Sequence, residues 1–262
     1  MLRNGIKPDS ASLNGPETRA PRFSLVIPAY NEEKYLPRLL DSVDQARARY
    51  RGGADRIEVI VADNGSTDGT AALAHSRSCK IAPEKKRIIA AVRNAGARLA
   101  QGELLAFVDA DSHIHPETFN AVEQALSDEK IVGGATGIKM ERMSLGIAVN
   151  FIYMMPMIWL TGMDSGVVFC RRADFETIKG YNEQRLFAED VDFLLKLKQL
   201  AKKRKQRLIR LPRVKAMTSV RKFDRFGDWH YPGLMLRGVF HMLFPKYCMK
   251  KFTQKYWYDE SR

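Results

Sequence analysis

The sequence predicts an α/β protein with a mostly parallel sheet and helices on both faces. Three short apolar runs lack the alternation of a half-exposed strand, which is typical of strands buried on both faces: Phe23 to Ile27, Ile57 to Ala62 and Leu104 to Val108. Helical patterns separate these runs, and strands that alternate with helices indicate βαβ units. The 262 residues suffice for one large domain, or for one domain with an appendage.

Helices are predicted between these strands and after the last of them. The stretch from Glu32 to Tyr50 places its leucines at helical spacing behind two acidic residues, which favour a helix start. Further helices are expected at Thr70 to Ser78, Asn94 to Gln101 and Pro116 to about Ser127, with a short strand at Arg87 to Val92.

The second half of the chain has a less regular pattern. A strand is predicted at Val167 to Cys170, and a helix from Glu189 to about Lys205. One face of that helix is expected to carry Val191, Leu194, Leu195 and Ala201.

Polar residues follow each of the three buried strands. They are Tyr30 to Glu32, Asp63 to Asp68 and Asp109 to Asp111. Ligands of open α/β sheets bind beyond the carboxyl ends of the strands. The sequence therefore predicts a ligand site at this edge.

Asp109 and Asp111 form the strongest single motif. Residues two apart in extended backbone project to the same side, so the two carboxylates lie together where a buried strand ends. Such carboxylates repel each other unless a cation lies between them, and oxygen ligands favour Mg²⁺ or Mn²⁺. The alternative is a solvated turn whose acids cap the next helix. The two neighbouring polar loops favour the metal site.

Several functional classes are disfavoured. No G-x-G-x-x-G follows the first strand and no G-x-x-x-x-G-K-[ST] occurs, which argues against a dinucleotide oxidoreductase and a P-loop NTPase. Cys79, Cys170 and Cys248 lie far apart without a C-x-x-C pair, which argues against a disulfide framework or a zinc site. A reducing compartment is expected.

The net charge of +13 is concentrated in one segment, because Lys196 to Arg225 contains 13 Lys or Arg and one acid. Part of it is expected to be a solvated helix face. A nucleic-acid partner is not expected, since no aromatic residue is interleaved before Phe223. An anionic surface remains the third interpretation.

Four ordered motifs resemble the family 2 glycosyltransferases with the GT-A fold. They are VIPAYNEE (Val26 to Glu33), VIVADNGSTDGT (Val59 to Thr70), RNAGARLAQGELLAFVDADS (Arg93 to Ser112) and GVVFCRRADFETIKGYNEQRLFAEDVDFLLKLK (Gly166 to Lys198). Together they cover roughly Phe23 to Leu200 in the order of the family.

The resemblance implies a nucleotide-diphospho-sugar donor and a divalent metal, Mn²⁺ or Mg²⁺. It implies a nucleoside pocket lined by Pro28, Tyr30 and Glu32, with Asp63 at the base and Arg93 near the nucleotide. Asp109 would approach the ribose and the metal, and Asp111 would hold the metal against the diphosphate. Arg221 or Lys222 would offset the charge of the leaving group. Asn64 departs from the family, where a second aspartate is common.

The resemblance also implies that Glu189 and Asp190 form the catalytic E-D pair, with Asp190 as general base. An inverting transfer needs a carboxylate that takes the proton of the acceptor hydroxyl. Ordinary helix-start acids are the alternative. Asp164 is a secondary candidate for acceptor contact. His113 and His115 are expected to be loop residues, and Cys170 a small buried residue.

These observations predict a metal-dependent inverting glycosyltransferase whose acceptor hydroxyl belongs to a lipid-linked sugar or a cell-envelope glycan. The alternative is a non-catalytic protein of the same fold that binds nucleotide sugars or anionic glycans. The predicted organisation is a disordered tail (1–21), a GT-A domain (22–220) and a basic, aromatic extension (221–262).

The expected location is the cytoplasm, at the inner face of a membrane. The polar tail has no apolar core typical of a signal peptide, and no uninterrupted run of about 18 apolar residues requires a membrane span. The apolar stretch Leu145 to Leu160 and the aromatic, basic stretch Tyr231 to Tyr258 favour peripheral attachment. The alternative is that both stretches pack onto the domain.

Overall fold

A seven-stranded sheet forms the centre of the structure, a computed structural model that describes residues 20–149, 152, 155, 164–185 and 189–229. The strands of the described residues are β1 (Phe23–Ala29), β2 (Ile57–Asp63), β3 (Lys80–Pro83), β4 (Leu104–Phe107), β5 (Ser112–His113), β6 (Ile131–Ala135), β7 (Ile138–Met140), β8 (Val168–Arg171), β9 (Arg207–Arg210) and β10 (Ala216–Thr218).

The helices pack around this sheet. They are α1 (Leu36–Arg49), α2 (Thr70–Ser76), α3 (Ile89–Leu99), α4 (Thr118–Leu126), α5 (Arg172–Thr177), α6 (Glu189–Lys203) and α7 (Arg221–Phe226). Residues 145–149 are also helical.

The strand order in the large sheet is β3-β2-β1-β4-β8-β6-β9. The first four strands in this order are parallel to one another, and β6 is parallel to β9. Strand β8 runs antiparallel to both of its neighbours. The predicted mostly parallel sheet is therefore confirmed. A second, three-stranded sheet has the order β5-β10-β7. Its strands have two or three residues each, too few for a periodic pattern in the sequence.

Two apolar cores cover the two faces of the large sheet, as predicted. Leu25 and Ile27 of β1 pack in the core that contains residues of α1 and α4, whereas Val26 packs in the core that contains residues of α3 and α6. Successive residues of a strand point to opposite faces, so one apolar run supplies both cores.

The predicted strand at Arg87 to Val92 is wrong. Helix α3 begins at Ile89 within that run, and the strand that joins the sheet is β3, immediately before it. A short apolar run does not distinguish a buried strand from a buried helix. A β-carbon at Gly96 of α3 would lie 2.4 Å from Cγ1 of Val26, so the glycine permits close packing of this helix on β1.

Helix ends and faces also differ in detail from the predictions. Helix α1 begins at Leu36, not Glu32, because residues 32–35 form a turn whose peptide groups bond within the loop and to Thr70. In α6, Leu195 is exposed, and the buried face contains Phe193, Leu194, Leu197 and Ala201.

Some of the predicted features lie outside the described residues. They are residues 1–19 of the predicted tail, most of residues 150–160, the stretch Tyr231 to Tyr258, and Cys248. Within the described ranges, no helix combines the length and the apolar character that crossing a bilayer requires. The division into a domain (22–220) and an extension (221–262) stays a prediction.

Candidate active site

The loops after β1, β2 and β4 leave the same edge of the large sheet, because these three strands are adjacent and parallel. The first loop carries Glu32, the second follows Asp63, and the third carries Asp109 and Asp111. The prediction that polar loops gather at the carboxyl edge of the sheet is confirmed.

Arg221 joins the first and third of these loops. Its Nη1 and Nη2 atoms donate to the two carboxylate oxygens of Glu32 at 2.7 and 2.8 Å. Its Nε atom lies 2.9 Å from Oδ2 of Asp111. We refer to Glu32, Asp111 and Arg221 as the Arg221 cluster; its guanidinium also lies 4.7 Å from the ring centre of Tyr35.

The small sheet determines the position of Arg221. Thr218 of β10 pairs with Ser112 of β5, which directly follows Asp111. The amide of Ser219 then donates to the carbonyl oxygen of Asp111 at 3.2 Å. The chain therefore enters α7 beside the D-x-D loop, and the first residue of α7 is Arg221.

Arg93 holds three more carboxylates together. Its Nη2 atom donates to Oδ1 of Asp109 at 2.8 Å, and its Nη1 atom donates to Oε1 of Glu189 at 2.7 Å and lies 2.8 Å from Oδ1 of Asp190. Arg93 is buried in α3, and Glu189 and Asp190 begin α6. This Arg93 cluster joins the D-x-D loop to the E-D pair.

Two carboxyl groups of the site have raised pKa values. The pKa of Asp111 is raised to about 6, chiefly by burial and also by the negative charges of Asp109 and Glu32, while Arg221 opposes the shift. Burial also raises the pKa of Asp190 to about 7, aided by Glu189 and Asp109 and opposed by Arg93. Acids whose pKa values are shifted by desolvation and by neighbouring charges are typical of functional sites.

The acids at this edge suit a hard divalent cation. Asp109 and Asp111 offer carboxylate oxygens, and their mutual repulsion contributes to the raised pKa of Asp111, which a cation would relieve. Among the described residues, no group of three or more His, Cys, Asp or Glu side chains is arranged to enclose a metal. The protein ligands present fit a cation that keeps positions for phosphate oxygens, as Mg²⁺ commonly does.

The predicted donor residues fall into two groups. Tyr30 follows β1 and Asp63 ends β2. The two chain segments are linked through Ser66, whose amide donates to Asp63 at 3.2 Å and whose hydroxyl accepts from the amide of Asn31 at 3.1 Å. Pro28 is buried within β1. The other predicted donor residues belong to the two arginine clusters: Glu32, Arg93, Asp109 and Arg221.

Asn64 has a structural role that an aspartate could not perform. Its side-chain amide donates to the carbonyl oxygens of Glu84 and Lys86 at 2.7 and 2.8 Å. A carboxylate has no proton to donate at neutral pH. Asn64, where the resembled family often has an aspartate, therefore anchors the loop after β3.

The secondary candidates are engaged elsewhere. The side chain of Asp164 is buried, and its carboxylate accepts from Nε and Nη2 of Arg210 at 3.0 and 2.7 Å. His113 lies in β5, so the prediction of a loop is wrong there, while His115 accepts from the amide of Glu117 at 3.1 Å. Cys170 is buried, and burial raises the pKa of its thiol, as expected for a small core residue.

Three side chains of the site were not identified from the sequence. The guanidinium of Arg87 lies 3.9 Å from the ring centre of Tyr30, Tyr35 lies beneath Arg221, and the ring of Tyr181 lies 5.3 Å from the guanidinium of Arg93. Arg87 and Tyr35 lie outside the quoted motifs, and Tyr181 lies within the last of them but is not one of its acids, so none of the three was a candidate. Only the position of Tyr35, three residues after Glu32, pointed toward the site.

Comparison with known proteins gives a consistent result. The family model described as glycosyl transferase family 2 matches residues 24–154. The chain is 28% identical over 217 residues to validoxylamine A glucosyltransferase of Streptomyces hygroscopicus subsp. limoneus, covering 66% of this chain and 46% of that protein. It is 33% identical over 117 residues to human dolichyl-phosphate beta-glucosyltransferase, covering 41% of this chain and 36% of that protein. The chain thus spans less than half the length of these relatives.

Solved structures show the same fold. Staphylococcus aureus TarS 1–349 in complex with UDP-GlcNAc has a TM-score of 0.59 at 22% identity, over 76% of this chain and 58% of that one. The mannosyltransferase PcManGT of Pyrobaculum calidifontis, in complex with GDP-Man and Mn²⁺, has a TM-score of 0.61 at 22% identity, over 78% and 58% of the two chains. The predicted GT-A fold is confirmed.

Proposed function

Because the chain belongs to glycosyl transferase family 2, we propose that it transfers a sugar from a nucleotide-diphospho-sugar to an acceptor hydroxyl, with inversion and with a divalent metal. The observation that carries this proposal is the Arg93 cluster. It joins Asp109 of the D-x-D loop to Asp190 of the E-D pair, so that acids for the donor and for the acceptor lie at one edge of the sheet.

Asp111 and Asp109 would hold Mn²⁺ or Mg²⁺. When bound, the metal stabilises negative charge on the departing diphosphate. Structures similar in fold contain Mn²⁺ with GDP-Man or with UDP, which supports this assignment. Arg221, beside Asp111, adds a fixed positive charge on the same side of the site.

Asp190 acts as the general base. As the acceptor oxygen forms its bond to the anomeric carbon, the bond from that carbon to the diphosphate oxygen breaks and the diphosphate keeps the electron pair. The hydroxyl proton passes to the Asp190 carboxylate. Attack opposite the leaving group inverts the anomeric centre. Its raised pKa keeps Asp190 a competent proton acceptor near neutral pH.

Arg93 positions this base. Its two terminal nitrogens contact three carboxylates, so the guanidinium fixes Asp190 relative to the D-x-D loop. This assigns Arg93 a different role from the one that the resemblance implied, which was contact with the nucleotide. Pro28, Tyr30 and Asp63 remain the proposed lining of the nucleoside pocket.

The proposed acceptor is a lipid-linked sugar or lipid phosphate, used at the cytoplasmic face of a membrane. The similarity to the dolichyl-phosphate beta-glucosyltransferases supports this acceptor class. A non-catalytic binding protein of the same fold is the second candidate, but it would have no use for a carboxyl group with the raised pKa of Asp190. No nucleic-acid partner is proposed.

A thermal-shift panel tests the donor. UDP, GDP, CDP and dTDP are each added with Mn²⁺ and with EDTA. One nucleotide should raise the melting temperature only with Mn²⁺, because binding at a hundredfold excess over Kd stabilises a protein by about 2.7 kcal/mol. Release of that nucleotide from its sugar conjugate, dependent on an acceptor, then separates an enzyme from a binding protein. No shift with any nucleotide would contradict the proposal.

A further inference from the structure

Most of the exposed large apolar side chains lie in one region. The described residues contain eight such side chains, and six of them belong to two short segments. We call these six the apolar patch: Met143, Leu145, Ile152, Met155, Phe226 and Trp229. The exposed fractions reach 74% for Leu145, 70% for Ile152, 63% for Met143 and 59% for Trp229.

The two segments are fastened together. Arg142 donates to the carboxylates of Asp224 and Asp228 through hydrogen bonds of 2.6 to 3.2 Å. A β-carbon at Gly146 would lie 2.8 Å from the carbonyl oxygen of Asp228, so the two backbones are in direct contact. Leu145 and Trp229, the neighbours of these contact residues, therefore belong to the same surface.

The helical segment after residue 144 has an apolar side that the core does not use. Ile147 is fully buried against Val220 and Phe223. Leu145 and Ile152, both helical and seven residues apart, are among the most exposed apolar residues described. An exposed apolar patch of this kind marks an interaction surface.

The chemistry of the patch fits an anionic bilayer. After Arg221, which pairs with Glu32 and Asp111, helix α7 carries Lys222 and Arg225, and its single acid, Asp224, is bound by Arg142. The guanidinium of Arg225 lies 5.2 Å from the ring centre of Phe226. A Trp and other apolar side chains next to cations are typical of segments that lie in the lipid interface. The net charge of +13 adds attraction toward anionic lipid.

The patch also borders the candidate active site. Helix α7 begins at Arg221, which contacts Glu32 and Asp111, and ends at Phe226. Six residues of helix are about 9 Å long. A bilayer that covers the patch would therefore lie beside the D-x-D loop.

We propose that the apolar patch docks on a bilayer containing anionic lipid and thereby presents a lipid-linked acceptor to the active-site edge. The identity of the acceptor rests on the proposed function, whereas the docking itself does not. A second copy of this chain is the other occupant that the test must distinguish.

Vesicle sedimentation of the full chain tests the docking. The patch variant is Leu145→Ser/Ile152→Ser/Trp229→Ser, and the matched control is Leu99→Ser/Leu195→Ser, which removes apolar side chains 41% and 42% exposed on α3 and α6. Wild type and control should sediment with phosphatidylcholine vesicles that contain phosphatidylglycerol, and high salt should weaken binding. The patch variant should partition about tenfold less or worse.

A depth measurement tests the same surface without altering it. Trp159→Phe/Trp257→Phe leaves Trp229 as the one indole of the chain. Brominated lipid in the anionic vesicles should quench its fluorescence. Absence of quenching, or equal vesicle binding by the patch variant and wild type, would overturn the proposal. So would a wild-type dimer that becomes monomeric in the patch variant while neither binds vesicles.

The nucleotide thermal shift, measured on the same proteins, separates the two proposals. It should be unchanged in the patch variant, because Leu145, Ile152 and Trp229 belong to neither of the two arginine clusters. Vesicle binding without any nucleotide shift would contradict the proposed function and leave the docking surface in place.

Discussion

Arg221 holds Asp111 through a contact of 2.9 Å between Nε and Oδ2. The same guanidinium binds both oxygens of Glu32, so one cation already lies among the acids that would hold a metal. The guanidinium of Arg93 likewise pairs with the carboxylates of Asp109, Glu189 and Asp190. The site is therefore organised around two arginines, one of which joins two acids and the other three.

Asp111→Asn should abolish metal-dependent nucleotide binding. The substitution keeps the shape of the side chain but replaces an anionic oxygen ligand with a neutral amide. Isothermal titration of the nucleotide with and without Mn²⁺ measures the effect. The control is Asp41→Asn, which removes an exposed carboxylate that pairs with Arg77. This variant should bind the nucleotide as the wild type does. Unchanged Mn²⁺-dependent affinity in Asp111→Asn would remove Asp111 from the metal site.

Asp190→Asn should leave donor affinity nearly intact and lower turnover by about 10²-fold or more, the scale of a lost general base. Asp192→Asn is a matched control on the same helix, because Asp192 pairs with Arg185 and Lys196 and not with Arg93. Initial rates at saturating donor measure both variants. Near wild-type turnover in Asp190→Asn would assign the base to another residue.

Turnover should fall as the pH drops through about 7. Asp190 must be ionised to accept a proton, and burial raises its pKa to about 7, so the active carboxylate is lost at a higher pH than for an ordinary aspartate. The pH dependence of kcat measures this limb. A rate that stays constant down to pH values near the usual aspartate range, about 4, would show that no such base limits the reaction.

Asp164→Ala should destabilise the fold without changing kcat. Its buried carboxylate accepts two hydrogen bonds from Arg210, and the loss of a charged hydrogen-bond partner costs about 1 to 3 kcal/mol. Urea unfolding measures the loss, with Glu103→Ala at an exposed ion pair as the control. Unchanged stability together with a raised KM for the acceptor would instead favour the acceptor contact expected from the sequence.

Arg93→Gln should change the pKa of the general base Asp190 more than it changes binding of the donor. Without the guanidinium, the pKa of Asp190 loses the interaction that lowers it, so the acidic limb of kcat should move to higher pH. Donor affinity, measured by titration with Mn²⁺, should change less than kcat. A large loss of donor affinity with an unmoved pH profile would return Arg93 to the nucleotide pocket.

The sequence by itself determined the central strands and the edge at which the site lies. The apolar runs of β1, β2 and β4 are local patterns, and their parallel order follows from the helices between them. Once those strands are parallel neighbours, the loops with Glu32, Asp63 and Asp109 must leave one edge. The motifs that carry the family resemblance lie in the same loops, so the candidate acids were identified without a structure.

The tertiary structure alone decided how those acids are paired. Arg93 meets Asp190 because α3 and α6 pack on the same face of the sheet, and Arg221 meets Asp111 because the short strand β10 pairs with β5. Strands of two or three residues leave no periodic signal, and contacts between residues distant in the chain depend on packing rather than on local pattern. The same holds for the apolar patch, since Leu145 and Trp229 share a surface only through the contacts of Arg142 and Gly146 with Asp228.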